Sequence, residues 1–373
     1  MRPLCAKQRT IMTNNQTYTR DMPERKPSVN HSYFYMPPAW IGEAPTDIEL
    51  AGSPHNLVKV ICSRQLSMGI RIDAHRDGVF LFDFTGWPDG RPVSIPAHTI
   101  VGGQRLPEPV LKARLEAEEH RYKSISVMNA HLACMSSALT RVQGLGVAIK
   151  QIITPSSYFT THWENGCRWL VGIDSSSEPI LAYVAANSRL DADIQKTRTR
   201  GILIRRETID FSFDLLEKIL VTSVPDTQLM TNLIYLAAIN YSDHDFPTAL
   251  TLSWTVCEKL LRILWNNYIE NKAIEAGDHK NESKVISKER RKILQGRDFT
   301  ASIISEALAL AGLLEHEMYL ALTKVRRQRN AWLHGLEPIS GIAAVECIKT
   351  AQRFLKEVSG IELAVHLSYG ARL

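Results

Sequence analysis

Lys324-Val325-Arg326-Arg327-Gln328-Arg329-Asn330-Ala331-Trp332-Leu333-His334-Gly335 is the stretch on which the reading of this chain turns. It has the pattern of the last turns of a helix stopped by Gly335, with His334 suited to the negative end of the helix dipole. Upstream, Met318, Leu322 and Val325 recur at helical steps and predict one apolar stripe. The same step continues to Arg329 and then Trp332. A guanidinium therefore falls where the pattern asks for a hydrophobe, and a charge on a buried face must be paired or put to use.

Working outward, residues 226–359 keep this helical texture. Glycine is rare there, and apolar residues repeat with a period near 3.6, predicting helices over about 227–241, 247–270, 283–295, 300–313, 315–334 and 341–357. Thr300 has the pattern of an N-cap. Short connections make this a helical bundle with largely antiparallel neighbours. Residues 51–222 differ and predict a mixed α/β domain. Strand patterns start at Leu57, Gly69 and Val79, with Asp77-Gly78 as a turn before the last. Asn165-Gly166 joins Tyr158–Glu164 to Cys167–Ile173 in a second hairpin, and Pro179–Ala186 adds a strand. A long helix is expected over Glu108–Arg141, ending at Gly144, and a shorter one over Phe211–Leu220. Residues 1–50, broken by five prolines between Pro23 and Pro45, are expected to be a weakly ordered arm that Tyr33, Phe34, Tyr35 and Trp40 pin to a surface. Residues 360–373 are expected to be a loose tail. The fold class is thus α+β: a mixed N-terminal domain followed by an all-α bundle.

Composition excludes several classes. With 373 residues, 45% hydrophobic and 22% charged, the chain is of ordinary globular make-up. The six cysteines form no CxxC pair, which argues against a disulfide framework or structural zinc. No apolar run approaches a membrane span and no signal-type h-region opens the chain, so a cytoplasmic protein with no membrane contact is expected. The net charge of +5 is modest, but basic residues cluster over Lys280–Arg297 and Arg189–Arg206. Such clusters suit phosphate contacts, although most are solvated faces.

A second misfit lies on the helix 247–270. Leu250, Trp254, Cys257, Leu261, Leu264 and Tyr268 trace its stripe, and Glu258 sits at the edge of it. Glu258 is either a solvated carboxylate at the core rim or the partner of Arg329, whose planar fork suits a carboxylate. Arg-to-His spacings alone are weak evidence, since Arg25–His31, Arg114–His120 and Arg327–His334 give similar ones. Context separates Arg329–His334: Asn330 follows the arginine, and Asn330 and His334 share one helix face that Arg326 joins from the preceding turn.

These residues resemble a known family. Arg329-Asn330-Ala331-Trp332-Leu333-His334-Gly335 is similar to the signature of the HEPN superfamily, and Ser253-Trp254-Thr255-Val256-Cys257-Glu258-Lys259-Leu260-Leu261 is similar to the acid-bearing second helix of that fold. The resemblance covers about residues 227–358 and leaves residues 1–222 without a match. It implies a metal-independent endoribonuclease acting as a homodimer with two motifs at the interface, of a kind found in phage defence and among toxins of toxin–antitoxin pairs. Arg329, Asn330 and His334 would be catalytic, supported by Glu258 and Arg326. Lys288, Arg290, Arg291, Lys292 and Arg327 are the candidate RNA contacts. No cofactor or metal is expected.

The chemistry fits the residue types. RNA carries a 2′-hydroxyl beside each phosphate, so cleavage needs only proton transfer and charge stabilisation. An imidazole exchanges protons near neutrality, and guanidinium groups stabilise charge on phosphorus. The products would be a 2′,3′-cyclic phosphate and a 5′-hydroxyl. One histidine supplies an acid or a base, not both, so a second copy across a two-fold axis would complete the site. Since an uncontrolled RNase harms its host, a trigger or antitoxin acting on residues 51–222 is expected. Without the resemblance, the plainer reading is a capping His334 under Trp332 with an ion-paired, structural Arg329. Two rivals stand beside the nuclease: a non-catalytic scaffold binding RNA, nucleotide or protein, and an activity seated in the N-terminal domain with the helices as a dimerisation module. Asp73-Ala74-His75-Arg76-Asp77 and Asp243-His244-Asp245 carry metal-type side chains but fall at turns, where Asp and His are common.

Overall fold

Tyr33 and Phe34 point to opposite faces of one strand, and both are buried. That strand, β1 (Asn30–Phe34), lies inside a six-stranded antiparallel sheet of order β3-β4-β5-β1-β6-β7. The other strands are β3 (Val60–Gln65), β4 (Arg71–His75), β5 (Val79–Asp83), β6 (Phe159–Glu164) and β7 (Cys167–Gly172). A parallel pair, β2 (Ala39–Ile41) with β8 (Ile202–Ile204), stands beside it. The computed structural model describes residues 30–35, 39–46, 48–49, 58–88, 108–146, 151–155, 157, 159–164, 167–172, 202–272, 286–296 and 298–367.

The arm expected over residues 1–50 is therefore, at residues 30–34 and 39–41, made of strands. Its aromatic residues do more than pin it: Tyr33 stacks on Phe80 at 5.5 Å and Phe34 meets Phe159 edge-on at 5.7 Å. The hairpins fall where the turn residues put them. Gly78 takes φ +82 between β4 and β5, and Glu164 pairs with Cys167, leaving a two-residue loop whose members lie outside the described residues. The strand expected over Pro179–Ala186 and most of the basic cluster Arg189–Arg206 also lie outside them. Gly69 is required for close approach. With φ +84, a Cβ there would run into the Gly86 carbonyl, and one on Gly86 would stand 2.6 Å from the Gly69 oxygen.

A 35-residue helix, α1 (Glu108–Val142), covers the face bearing Tyr33, Phe80 and Phe82, with α2 (Arg206–Val221) beside it. His131 of α1 is the hub. It is fully buried, sharing a 2.7 Å hydrogen bond with the Tyr33 hydroxyl and contacting the rings of Phe80, Phe82 and Phe213.

From residue 227 the chain is helical: α3 (Thr227–Ser242), α4 (Phe246–Lys272), α5 (Lys288–Leu294), α6 (Ala301–Leu310), α7 (His316–Gly335) and α8 (Gly341–Ser359). Asp243, His244 and Asp245 form the tight turn between α3 and α4, and an Asp226–Lys259 ion pair of 2.5 Å ties the start of α3 to the middle of α4. Ser287 and Ser340 cap α5 and α8 through their hydroxyls, whereas Thr300 occupies the N-cap of α6 without a side-chain bond. Among the described residues, no helix is long and apolar enough to cross a membrane.

One continuous set of buried apolar side chains runs from the sheet through α1 and α3 into α4, α7 and α8. The end of the chain belongs to it. Ile361, Leu363 and Val365 are buried, and the amides of Ala364 and His366 donate to Ser137 and Ser136 of α1 at 3.0 and 3.4 Å. Residues 360–367 are thus docked against α1 rather than forming the expected loose tail. The α7 stripe is buried as its period requires, with Met318, Leu322 and Val325 at most 1% exposed. Removing the isopropyl end of Leu322 leaves a cavity between packed helices, so Leu322→Ala is expected to cost about 2–5 kcal/mol. A urea midpoint unchanged by that substitution would contradict the packing.

Candidate functional site at the end of α7

The stripe stops being core at Arg329. α7 packs on α4, α6 and α8 through Val325, but Arg329, Asn330 and Trp332 are only half-buried and Leu333 and His334 are exposed. The helix emerges from the bundle with its basic end, because apolar partners run out on that side while helical hydrogen bonding continues.

Its end differs from the simple glycine stop. Gly335 is the last helical residue, and Leu336 adopts the left-handed conformation, φ 53 and ψ 29. The Leu336 amide bonds the Trp332 carbonyl at 2.9 Å, and the Glu337 amide reaches Ala331 at 3.3 Å. A glycine one position earlier carries the sequence signal, but the geometry falls on a leucine that is 73% exposed. No sequence signal marks that strain.

Arg329 does not meet Glu258. Its Nη1 donates to the Asn330 side-chain oxygen at 3.1 Å, and its Nε is buried without a hydrogen-bond partner. Among the described residues no carboxylate pairs with Arg326, Arg327 or Arg329, while Lys324 nearby holds Glu346 of α8 at 2.7 Å. The cations toward the end of α7 are thus left with net positive charge and free donors. Glu258 stays half-buried on α4, and its neighbour Lys259 takes Asp226. Among the described residues His334 makes no ring contact with Trp332 and Arg329 no ion pair.

The other Arg-to-His spacings are set apart by burial. His31 and His120 lie in the N-terminal core, each 6% exposed, with Arg25 outside the described residues. The expected RNA contacts are divided. Lys288, Arg290 and Lys292 are exposed on α5, and Arg291 is tied to Glu270. α5 begins at Lys288, later than the expected 283, and is held to the C-terminal part of α4 by the Trp265 indole donating to the Leu294 carbonyl at 2.8 Å. Arg327 is exposed on α7 itself. Of the metal-type side chains expected at turns, Asp73 and His75 lie instead in strand β4, Asp77 pairs with Arg168, and Asp245 accepts from the Thr248 amide at 3.2 Å.

No protein-family model, curated protein or solved structure matches this chain. The functional reading rests on the site itself. One element of it escaped the sequence. Leu333, Leu336 and Ile342 are 43%, 73% and 73% exposed and flank the α7–α8 corner beside His334. Exposed apolar side chains at the junction of two helices are what an interface offers. Only Leu336, which falls after the helix pattern ends, could have hinted at it.

Proposed function

We propose that the C-terminal helices form a HEPN-type domain and that the protein is a metal-independent endoribonuclease acting as a homodimer. The observation that carries this reading is that Arg326, Arg327 and Arg329, none of which meets a carboxylate among the described residues, share a helix end with an exposed His334 imidazole. Unpaired arginines on a half-buried helix end favour an anion, and a phosphodiester offers one with matching geometry. In this reading Arg329 and Arg326 stabilise charge on the phosphorus, and Asn330, held by Arg329, orients one of them or the phosphate. His334 moves the proton between the 2′-hydroxyl and the leaving 5′-oxygen. Residues ahead of α3 hold a sensing or inhibitory role, served by a trigger or antitoxin. Cleavage of labelled RNA in excess EDTA, lost in His334→Ala and Arg329→Ala, is the test.

The apolar corner supports a second copy as the neighbour that completes the acid–base pair. Leu336→Asp and Ile342→Asp test it without unfolding the chain. Aspartate tolerates the left-handed backbone better than leucine, and an acid suits the first turn of α8. Together they are expected to weaken dimerisation about a hundredfold, read by sedimentation, and to lower cleavage in parallel. A double variant that stays dimeric and fully active would remove this corner from the interface. The scaffold reading draws on the same corner, and it is favoured if the dimer forms but no RNA is cut.

A further inference from the structure

The polar residues of α7 do not stop at the motif. Tyr319, Thr323, Arg326, Asn330 and His334 follow one another at steps of four and three, which at about 100° per residue places them within roughly a quarter-turn of the helix surface. The stripe lies alongside the buried one of Met318, Leu322 and Val325. At its start the His316 and Tyr319 rings lie nearly parallel, 25° apart with centroids at 6.4 Å, and His316 is exposed. The Tyr319 hydroxyl donates to the Glu306 carboxylate of α6, which anchors the outer end of the ring. Glu306 is thereby engaged, and Arg326 follows two turns later with no carboxylate partner among the described residues.

The geometry points to a binding track for single-stranded RNA along this face, with the His316–Tyr319 pair stacking a base upstream of the bond that is cut. The inference rests on the nuclease reading for its origin at His334, and it adds the residues that select the substrate. Fifteen residues of helix separate Tyr319 from His334, about 22 Å at 1.5 Å per residue. That is the reach of a strand of at least about four nucleotides, the lower scale of single-strand sites. Stacking on a tyrosine requires an unstacked base, so the track takes single strands and not duplex. Arg326 lies between the aromatic pair and the motif, where it meets an intervening phosphate.

The test measures binding apart from cleavage. Fluorescent oligonucleotides with 2′-O-methyl groups cannot undergo 2′-hydroxyl attack, and their affinity is read by anisotropy in EDTA. The full chain is expected to bind a hexanucleotide roughly tenfold more tightly than a dinucleotide. Tyr319→Phe keeps that advantage, because the ring remains. Tyr319→Leu, which preserves the partly apolar packing of the position, loses it while leaving dinucleotide affinity unchanged, and exposed His316→Ala reduces it in part. Equal binding of the two lengths by the wild type, or an undiminished hexanucleotide advantage in Tyr319→Leu, overturns the track. Length-dependent binding without cleavage of the unmodified RNA overturns the nuclease and leaves the track standing.

Discussion

RNA mixed with the purified protein in excess EDTA is expected to be cut to 2′,3′-cyclic phosphate ends, and His334→Ala to slow that cutting by about a hundred- to ten-thousandfold. The size follows from proton transfer. In the proposed reaction, loss of the imidazole at the end of α7 leaves the 2′-hydroxyl to give up its proton to water, and the loss falls on kcat. If Arg329 stabilises charge on the phosphorus as proposed, Arg329→Ala is expected to slow cutting by about a hundred- to a thousandfold. The double variant should be little worse than His334→Ala, since groups acting on one transition state are not additive. Because His334 is exposed and Arg329 lies past the buried stripe, neither substitution should lower the unfolding midpoint appreciably. Cutting by His334→Ala at the wild-type rate would sink the reading. So would cutting that appears only when a divalent metal is restored. If deleting residues 1–222 abolished an activity that His334→Ala retained, the activity would belong to the N-terminal part.

The second large effect is acid instability of the sheet. Burial pushes three imidazoles down from their ordinary value near 6.5: His131 and His31 to about 3, and His75 to about 4. The nearby His120 and Arg121 add to the effect at His31, and Arg168 adds to it at His75. Each is held neutral in the folded protein and takes a proton only once the chain unfolds. Stability from these groups is therefore complete above about pH 6.5 and is lost as pH falls toward 4 and then 3. One pKa unit corresponds to about 1.4 kcal/mol, so near pH 5 each imidazole has withdrawn on the order of 2 kcal/mol. Three together rival the whole stability of a typical domain, about 5–15 kcal/mol. Glu49 acts in the same direction at lower pH. The Arg76 guanidinium that it binds, with help from the Thr46 amide, holds its carboxyl at about 2, so its contribution fades as pH falls through the ordinary carboxylate range. Urea midpoints should fall steeply between pH 7 and 5, with protons taken up on unfolding. A flat profile over that interval would show that these imidazoles are already protonated in the folded state.

Much of the helical half was legible because its period is local. Met318, Leu322 and Val325, or Leu250, Trp254 and Cys257, declare a buried face without knowledge of what covers it. Hairpins were legible for a similar reason, since Asp77-Gly78 and Asn165-Gly166 carry their turn chemistry with them. β1 was not. It is an interior strand buried on both faces, so Asn30–Phe34 shows no alternation of polar and apolar residues, and the neighbouring prolines suggested an irregular arm. The buried end at Ile361, Leu363 and Val365 escaped because its place depends on Ser136 and Ser137, more than 200 residues earlier.

The sequence by itself determined the order of the helices from α3 to α8, the sheet-then-helix division, and the grouping of Arg326, Arg329, Asn330 and His334 on one helix, all consequences of short-range periodicity. The tertiary structure alone decided that Arg329 turns to Asn330 rather than Glu258, that Leu336 takes the left-handed turn, and that an apolar corner stands open beside His334. Whether a charge finds a partner depends on which helices meet and at what level, and side-chain contacts between distant segments leave no period in the chain.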